Sequence, residues 1–228
     1  MHWQPVAPGD TARIATPPST GLLVWWWPET SQPAAATRRL RTDTVLRHLL
    51  APCLAMDPAE LRFGREAKGR PYLLHPGAPD FNFSDTPGGS VVAVATSGRV
   101  GIDIERTDRA PPVQRLAARW FATDEAEQLA ALAPDAARRA FLALWTAKEA
   151  SCKATGTGIF GRLAAWRFAI DADAGSTDAD RPRAVALPSE AGAVAHWRFH
   201  RLAPAATHTV ALSCHGNDAR PELRAIAG

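Results

Sequence analysis

The stretch WTAKEASCK (145–153) concentrates the side chains with the clearest capacity for chemistry. The chain carries 26 basic residues, yet only Lys68, Lys148 and Lys153 are lysines. Two of those three flank Glu149. Wherever any positive charge serves, this chain writes arginine. An ammonium is a compact point charge that approaches a single phosphate oxygen, where a planar guanidinium fork crowds. Lys148 and Lys153 therefore read as phosphate-facing groups. Two plainer readings stand beside that one. Glu149 and Lys153 at i,i+4 also make an ordinary surface pair worth about 0.3–0.5 kcal/mol, and three lysines are few enough to cluster by chance.

A second candidate is VGIDIE (100–105). In a strand, side chains alternate faces, so Val100, Ile102 and Ile104 point one way and Gly101, Asp103 and Glu105 the other. The two carboxylates then lie about 6–7 Å apart along one face. Unpaired, they repel, and a divalent cation such as Mg²⁺ relieves that repulsion. An amphipathic strand with a wet acidic face explains the same pattern.

The elements that must position these residues follow from periodicity. PDAARRAFLALWTAKEASCKAT (134–155) reads as one long helix, opened by Pro134 and closed by Gly156 and Gly158. FATDEAEQLAAL reads as a helix with Thr123 as N-cap. TRRLRTDTVLRHLLAPCL (37–54) reads as a helix capped by Thr37, with an apolar stripe of Leu46, Leu49 and Leu50. Its arginines, Arg38, Arg39, Arg41 and Arg47, form either a solvated basic face or an anion-binding one. GLLVWWWPET (21–30) reads as a buried strand stopped by Pro28, its tryptophans serving the core. FNFSDT, VVAVAT and VGIDIE read as strands separated by the turns TPGGS and SGR, and VAHWRFHRL and THTVALSC as strands closing the chain. The segment 170–190 reads as a loop. The polar, proline-containing RTDRAPP (106–112) reads as a linker between halves 1–107 and 108–228.

Composition narrows the classes. A chain of 228 residues, 46% hydrophobic and 21% charged, is globular in type, and no apolar run approaches the length of a membrane span. Cys53, Cys152 and Cys214 are odd in number and show no CxxC spacing, which supports neither a disulfide framework nor a zinc cluster. No secretory signal is evident at the N-terminus, and a reducing cytoplasm is the expected setting. The pI near 9.0 favours an anionic ligand or partner without requiring nucleic acid. The seven histidines form no ligand pattern; His196 and His200 read as packing or surface residues. No GxxxxGK[ST] loop and no kinase-type glycine loop is present.

Taken together, KGRPYL (68–73), FNFSDT (81–86), VGIDIE (100–105) and FLALWTAKEASCKATGTG (141–158) resemble, in order and spacing, the signatures of the 4′-phosphopantetheinyl transferases of the larger, single-chain pseudo-dimeric class. The pairing of the last two segments is the specific part, and the resemblance spans about residues 22 to 160. It implies an α+β fold of two similar halves related by a pseudo-twofold axis, with the active site between them. It implies an enzyme of the holo-[acyl-carrier-protein] synthase type. Such an enzyme transfers the 4′-phosphopantetheine arm of coenzyme A to a serine of an apo acyl or peptidyl carrier protein, with Mg²⁺, releasing 3′,5′-ADP. By the family pattern Asp103, Glu105 and Glu149 hold the metal, and Glu149 and Lys153 are catalytic. Lys148 and Lys153 contact the phosphates, Gly69, Arg70 and Pro71 line the adenine end, and Ser84 and Asp85 lie near the nucleotide phosphates. An arginine of the 38–47 helix, with Arg41 the candidate, meets the 3′-phosphate. One departure stands out: Asp85 replaces the family's usual His, and an ionised carboxylate repels a phosphate. A monomer is expected, with no nucleic-acid or membrane partner. The alternatives are another Mg²⁺-dependent nucleotide or CoA phosphotransferase, or a non-catalytic basic binding module.

Overall fold

The computed structural model describes residues 2–7, 19–29, 35–159, 162–169 and 182–226, with the side chains of 35–41 left aside. Thr37, Arg38, Arg39, Arg41 and most of the loop expected at 170–190 therefore lie outside the residues whose side chains are described. The strands, in chain order, are β1 (Gln4–Val6), β2 (Leu22–Pro28), β3 (Phe63–Arg65), β4 (Pro71–Leu73), β5 (Asp80–Thr86), β6 (Gly89–Ala95), β7 (Arg99–Arg106), β8 (Arg167–Phe168), β9 (Ala184–Ala186), β10 (Trp197–Leu202), β11 (His208–His215) and β12 (Glu222–Ile226). The α-helices are α1 (Ala35–Leu50), α2 (Val113–Trp120), α3 (Thr123–Ala130) and α4 (Pro134–Thr155).

The chain forms a mixed α/β structure of four layers. A five-stranded sheet, ordered β1-β12-β2-β6-β5, packs against a three-stranded sheet, ordered β10-β11-β7. Val100, Ile102 and Ile104 on β7 meet Leu22, Val24 and Trp26 on β2 in the core between the sheets. The alternation expected within VGIDIE is thus the observed one. Helix α4 covers the outer face of the three-stranded sheet, joined there by Phe121, Trp166 and Phe199. Helix α1 covers the outer face of the other sheet, where Leu46, Leu49 and Leu50 meet Leu23, Trp25 and Phe81. Since β2 is buried on both faces, Trp25 and Trp26 serve opposite cores, which is why the run needs no polar alternation.

The expected boundary at 107/108 falls in the turn after β7, but each sheet draws strands from both sides of it. β7 pairs antiparallel with β11 in the second sheet, and β12 pairs parallel with β2 in the first. The sheets are also stitched by side chains. Asp80 Oδ2 accepts from the Val100 amide at 2.8 Å, and Asn82 Oδ1 accepts from the Ile102 amide at 3.0 Å. These bonds satisfy two outward donors of β7, an edge strand.

Several boundaries differ from those expected. The N-cap of α3 is Ala122, whose amide donates to Glu125 Oε2, and Thr123 is the first helical residue. The helix expected over 37–54 ends at Leu50 and continues as a 3₁₀ turn over Ala51–Leu54 because Pro52 lacks an amide donor. VAHWRFHRL becomes a strand only at Trp197, the preceding residues forming a 3₁₀ turn. Helix α4 spans the expected 134–155 and closes on Gly156, whose φ of 70° is the left-handed cap that favours glycine. Cys53, Cys152 and Cys214 are free thiols, and no helix among the described residues is long and apolar enough to cross a membrane.

Candidate functional site

Gly101 decides how closely α4 approaches β7. A Cβ at this position would lie 1.9 Å from the Ala150 carbonyl oxygen and 2.4 Å from the Ala154 amide nitrogen. Only glycine admits the helix backbone so near the strand. The approach brings the last turns of α4 over the acidic face of β7. There Lys153 Nζ donates to Asp103 Oδ1 at 2.6 Å, to Ser84 Oγ at 2.9 Å and to the Ile102 carbonyl at 3.1 Å. Ser84 Oγ itself donates to Asp103 Oδ1 at 2.8 Å. Three elements, β5, β7 and α4, therefore meet at one charged point.

The helix end is held in place by two arginines. Arg70 Nε donates to the Lys153 carbonyl at 2.8 Å, and Arg99 Nε to the Ala154 carbonyl at 3.1 Å, satisfying carbonyls that the helix leaves open. Arg70 is only 6% exposed. Its guanidinium forks onto both oxygens of Asp80 at 2.9 and 2.7 Å and reaches the Val100 carbonyl at 2.8 Å. The expectation that Arg70 lines the adenine end is corrected on this point. Its donors are consumed inside the protein, where they tie the helix to both sheets. Gly69 is an exposed turn residue with φ 88°.

Lys148 is the larger correction. Its side chain is fully buried, and its Nζ donates to Glu125 Oε2 at 2.7 Å, to the Leu163 carbonyl at 3.0 Å and to the Trp166 carbonyl. The ammonium also sits 4.7 Å from the centroid of the Phe121 ring. Burial lowers its pKa, and Glu125 opposes that shift. A lysine enclosed in this way does not face a phosphate. It joins α4 to α3 and to the segment before β8. The reason for lysine over arginine is the small enclosure, which fits three donors on one nitrogen. Glu125 lies in the first turn of α3, and nothing in the sequence links it to a lysine beyond the intervening helix start.

The carboxylates share one field. Glu149 is pushed up to about 7, chiefly by burial and next by the charge of Asp103, with Lys153 opposing and Glu105 adding. Glu105 is raised by burial, against the pull of Arg109, with which it forms an ion pair. Asp103 is 4% exposed, and its Oδ2 is buried without a hydrogen-bond partner among the described residues. A bare carboxylate oxygen is costly to bury. Asp103, Glu105 and Glu149 thus offer hard oxygen donors, one of them uncommitted, of the type that Mg²⁺ takes. The residues fit such a cation in donor chemistry. In this ion-paired arrangement no three His, Cys, Asp or Glu among the described residues are disposed to hold a metal ion. Lys153 and Arg109 sit on carboxylate oxygens that a cation would share.

On the other face of β5 lies a cleft of about 1140 Å³, lined by Thr42, Arg47, Arg62, Pro71, Phe83 and Asp85 among others. Alternation along the strand sends Ser84 toward Asp103 and Phe83 and Asp85 into the cleft. Arg47 is pinned to the Pro58 and Leu61 carbonyls at 3.1 and 2.9 Å. Of Gly69, Arg70 and Pro71, Pro71 is the one that lines the cleft.

The family model for the 4′-phosphopantetheinyl transferase superfamily matches residues 99–213, from β7 through α4 to β11. Over 118 residues the chain is 34% identical to 4′-phosphopantetheinyl transferase HetI of Nostoc sp., covering 50% of each. It is also 34% identical over 125 residues to a 4′-phosphopantetheinyl transferase of Bacillus subtilis, covering 54% of each. To 4′-phosphopantetheinyl transferase Sfp of Bacillus subtilis it is 31% identical over 125 residues, again 54% of each. The chain thus spans about half the length of the curated relatives it matches.

Proposed function

The chain belongs to the 4′-phosphopantetheinyl transferase superfamily, and on that premise we propose that it transfers the 4′-phosphopantetheine arm of coenzyme A to a serine of an apo acyl or peptidyl carrier protein. In this reaction the serine oxygen bonds to the phosphorus bearing the pantetheine arm. The bond from that phosphorus to the nucleotide breaks, and 3′,5′-ADP leaves. The serine proton passes to a base.

The observation that carries the reading is the junction of Lys153, Asp103 and Ser84, with Glu149 held near 7 beside it. Phosphoryl transfer asks a protein mainly to position the phosphates and to offset charge on their oxygens. Asp103, Glu105 and Glu149 are the residues that would hold Mg²⁺, which when bound offsets charge on the pyrophosphate. Lys153, poised between Asp103 and Ser84, is the cation available to a phosphate oxygen. The serine proton passes to Glu149 or to a water on the metal, since coordination to Mg²⁺ makes a carboxylate a poorer base than a free one. The cleft beyond β5 is large enough for the nucleotide end of coenzyme A, and Pro71 and Asp85 line it. Arg62, also on that wall, is the cation that takes up a nucleotide phosphate there in place of the missing His.

The two-half reading, with residues 1–107 and 108–228 related by a pseudo-twofold axis, is part of the same proposal. Its support is the layered order of helix, sheet, sheet and helix. The test is incubation with coenzyme A, Mg²⁺ and a set of apo carrier proteins, followed by intact-mass analysis. A phosphopantetheine gain on a carrier serine is expected. No gain on any carrier, with folded protein, would return the reading to a binding module or another phosphotransferase.

A further inference from the structure

Beyond the acid cluster, between α4 and the three-stranded sheet, lies a separate cavity of about 200 Å³. Its walls are mostly apolar, with Ala143 and Leu144 from α4 and Phe168 from β8. The side chains of Arg139 and Arg201 border it, together with Thr209, and no carboxylate lines it among the described residues. Arg201 Nε is buried without a hydrogen-bond partner among the described residues. The neighbouring arginines are engaged differently. Arg138 donates to the Thr107 carbonyl and Arg109 to Glu105. Arg139 and Arg201 give the cavity a cationic edge, whose charge an anion entering it offsets.

We propose that this cavity binds a small organic anion with an apolar body, an aryl or short-chain carboxylate being the chemistry that fits. Volume sets the size, since a cavity of about 150 Å³ holds a benzene ring. Charge sets the head group, because an oxyanion accepts from Arg201 and offsets Arg139. The site adjoins the acid cluster. Thr209 stands opposite Glu105 in the β11–β7 ladder, on the face that α4 covers. The inference concerns binding and stands apart from the proposed transfer.

The test is calorimetric titration of the full chain with benzoate, phenyl phosphate and benzamide at matched ionic strength. Benzoate saturates one site with a dissociation constant of about 1 mM or better, within reach of a ligand of its size. Benzamide, isosteric but neutral, binds at least about tenfold more weakly, and Arg201→Gln costs benzoate a similar factor. Ala143→Phe fills the cavity from α4 and removes binding. Melting curves for both variants show that they are folded. Tighter binding of phenyl phosphate than of benzoate assigns the same site to phosphate esters. Failure of both anions to saturate, equal affinity for benzoate and benzamide, or unchanged benzoate binding in folded Arg201→Gln would each overturn the proposal.

Discussion

Lys153 donates to Asp103 across 2.6 Å, joining the end of α4 to the middle of β7. This contact puts a cation on one oxygen of a buried carboxylate whose other oxygen has no partner among the described residues. Lys148, on the same helix, points the opposite way into a closed ion pair with Glu125 at 2.7 Å. Two lysines that look equivalent in sequence therefore have separable duties.

That separation is measurable. Removing one member of a buried ion pair typically costs about 3–5 kcal/mol, because the other charge is left uncompensated. Lys148→Met is expected to lower unfolding stability by about that much, and Glu125→Gln to do likewise. Lys153→Ala leaves the buried Asp103 with only Ser84 as partner and is expected to cost about 1–3 kcal/mol, less than the fully enclosed pair because Lys153 is itself partly exposed, while reducing transfer at least about a hundredfold. Denaturant melts paired with steady-state rates check both. Equal effects of Lys148→Met and Lys153→Ala on stability would contradict the assignment.

Gly101 gives a steric prediction. A methyl group there meets the Ala150 carbonyl at 1.9 Å, so Gly101→Ala pushes α4 off β7. The cost is expected to be about 2–4 kcal/mol, as for other backbone-level overpacking. Turnover falls further than stability, since Lys153 and Glu149 ride on the displaced helix. Thermal melts and activity below the melting range separate the two effects.

The pH dependence of the metal-free protein follows from Glu149. Its carboxyl holds a proton up to about 7 in the folded chain, against a reference value of 4.5. Between those values the native state binds more protons than the unfolded one, so stability falls as pH rises from about 5 to about 7.5. Glu105, raised in the same direction, adds to the slope. Glu149→Gln flattens the slope, and added Mg²⁺ opposes it by favouring the ionised cluster. Melting temperatures measured across this range with and without Mg²⁺ are the check; a rising slope in the metal-free protein would contradict the account.

Much of this is legible in the sequence. Period-two alternation in VGIDIE placed Asp103 and Glu105 on one face, and the apolar periodicity with Pro134 and Gly156 gave α4 its ends. What stayed hidden was long-range pairing. The partnership of Lys148 with Glu125, and of Arg70 with Asp80, depends on how helices and strands pack, and spacing carries no record of it. Lysine scarcity raised the right question about Lys148 and pointed to the wrong surroundings, because a closed cage and a phosphate both favour a compact ammonium. Nothing in FNFSDT marks Asn82, yet its carboxamide serves the edge of β7. The short β12 went unseen because its partner is β2, at the other end of the sequence.

Asp85 offers a test of the cleft. It lines the wall shared with Arg62 and Pro71. Asp85→His exchanges a group that repels phosphate for one that donates to it. The Michaelis constant for coenzyme A is expected to fall severalfold with kcat little changed. An unchanged Michaelis constant would mean that position 85 does not face the phosphates.

The central claim is that Asp103 and Glu105 from β7 and Glu149 from α4 serve one cation. Manganese, used as a paramagnetic stand-in for magnesium, reports this directly by electron paramagnetic resonance titration in the presence of coenzyme A. The account predicts one bound ion per chain in the unaltered protein and its loss in both Asp103→Asn and Glu149→Gln, each still folded. Undiminished manganese binding in either folded variant would contradict it.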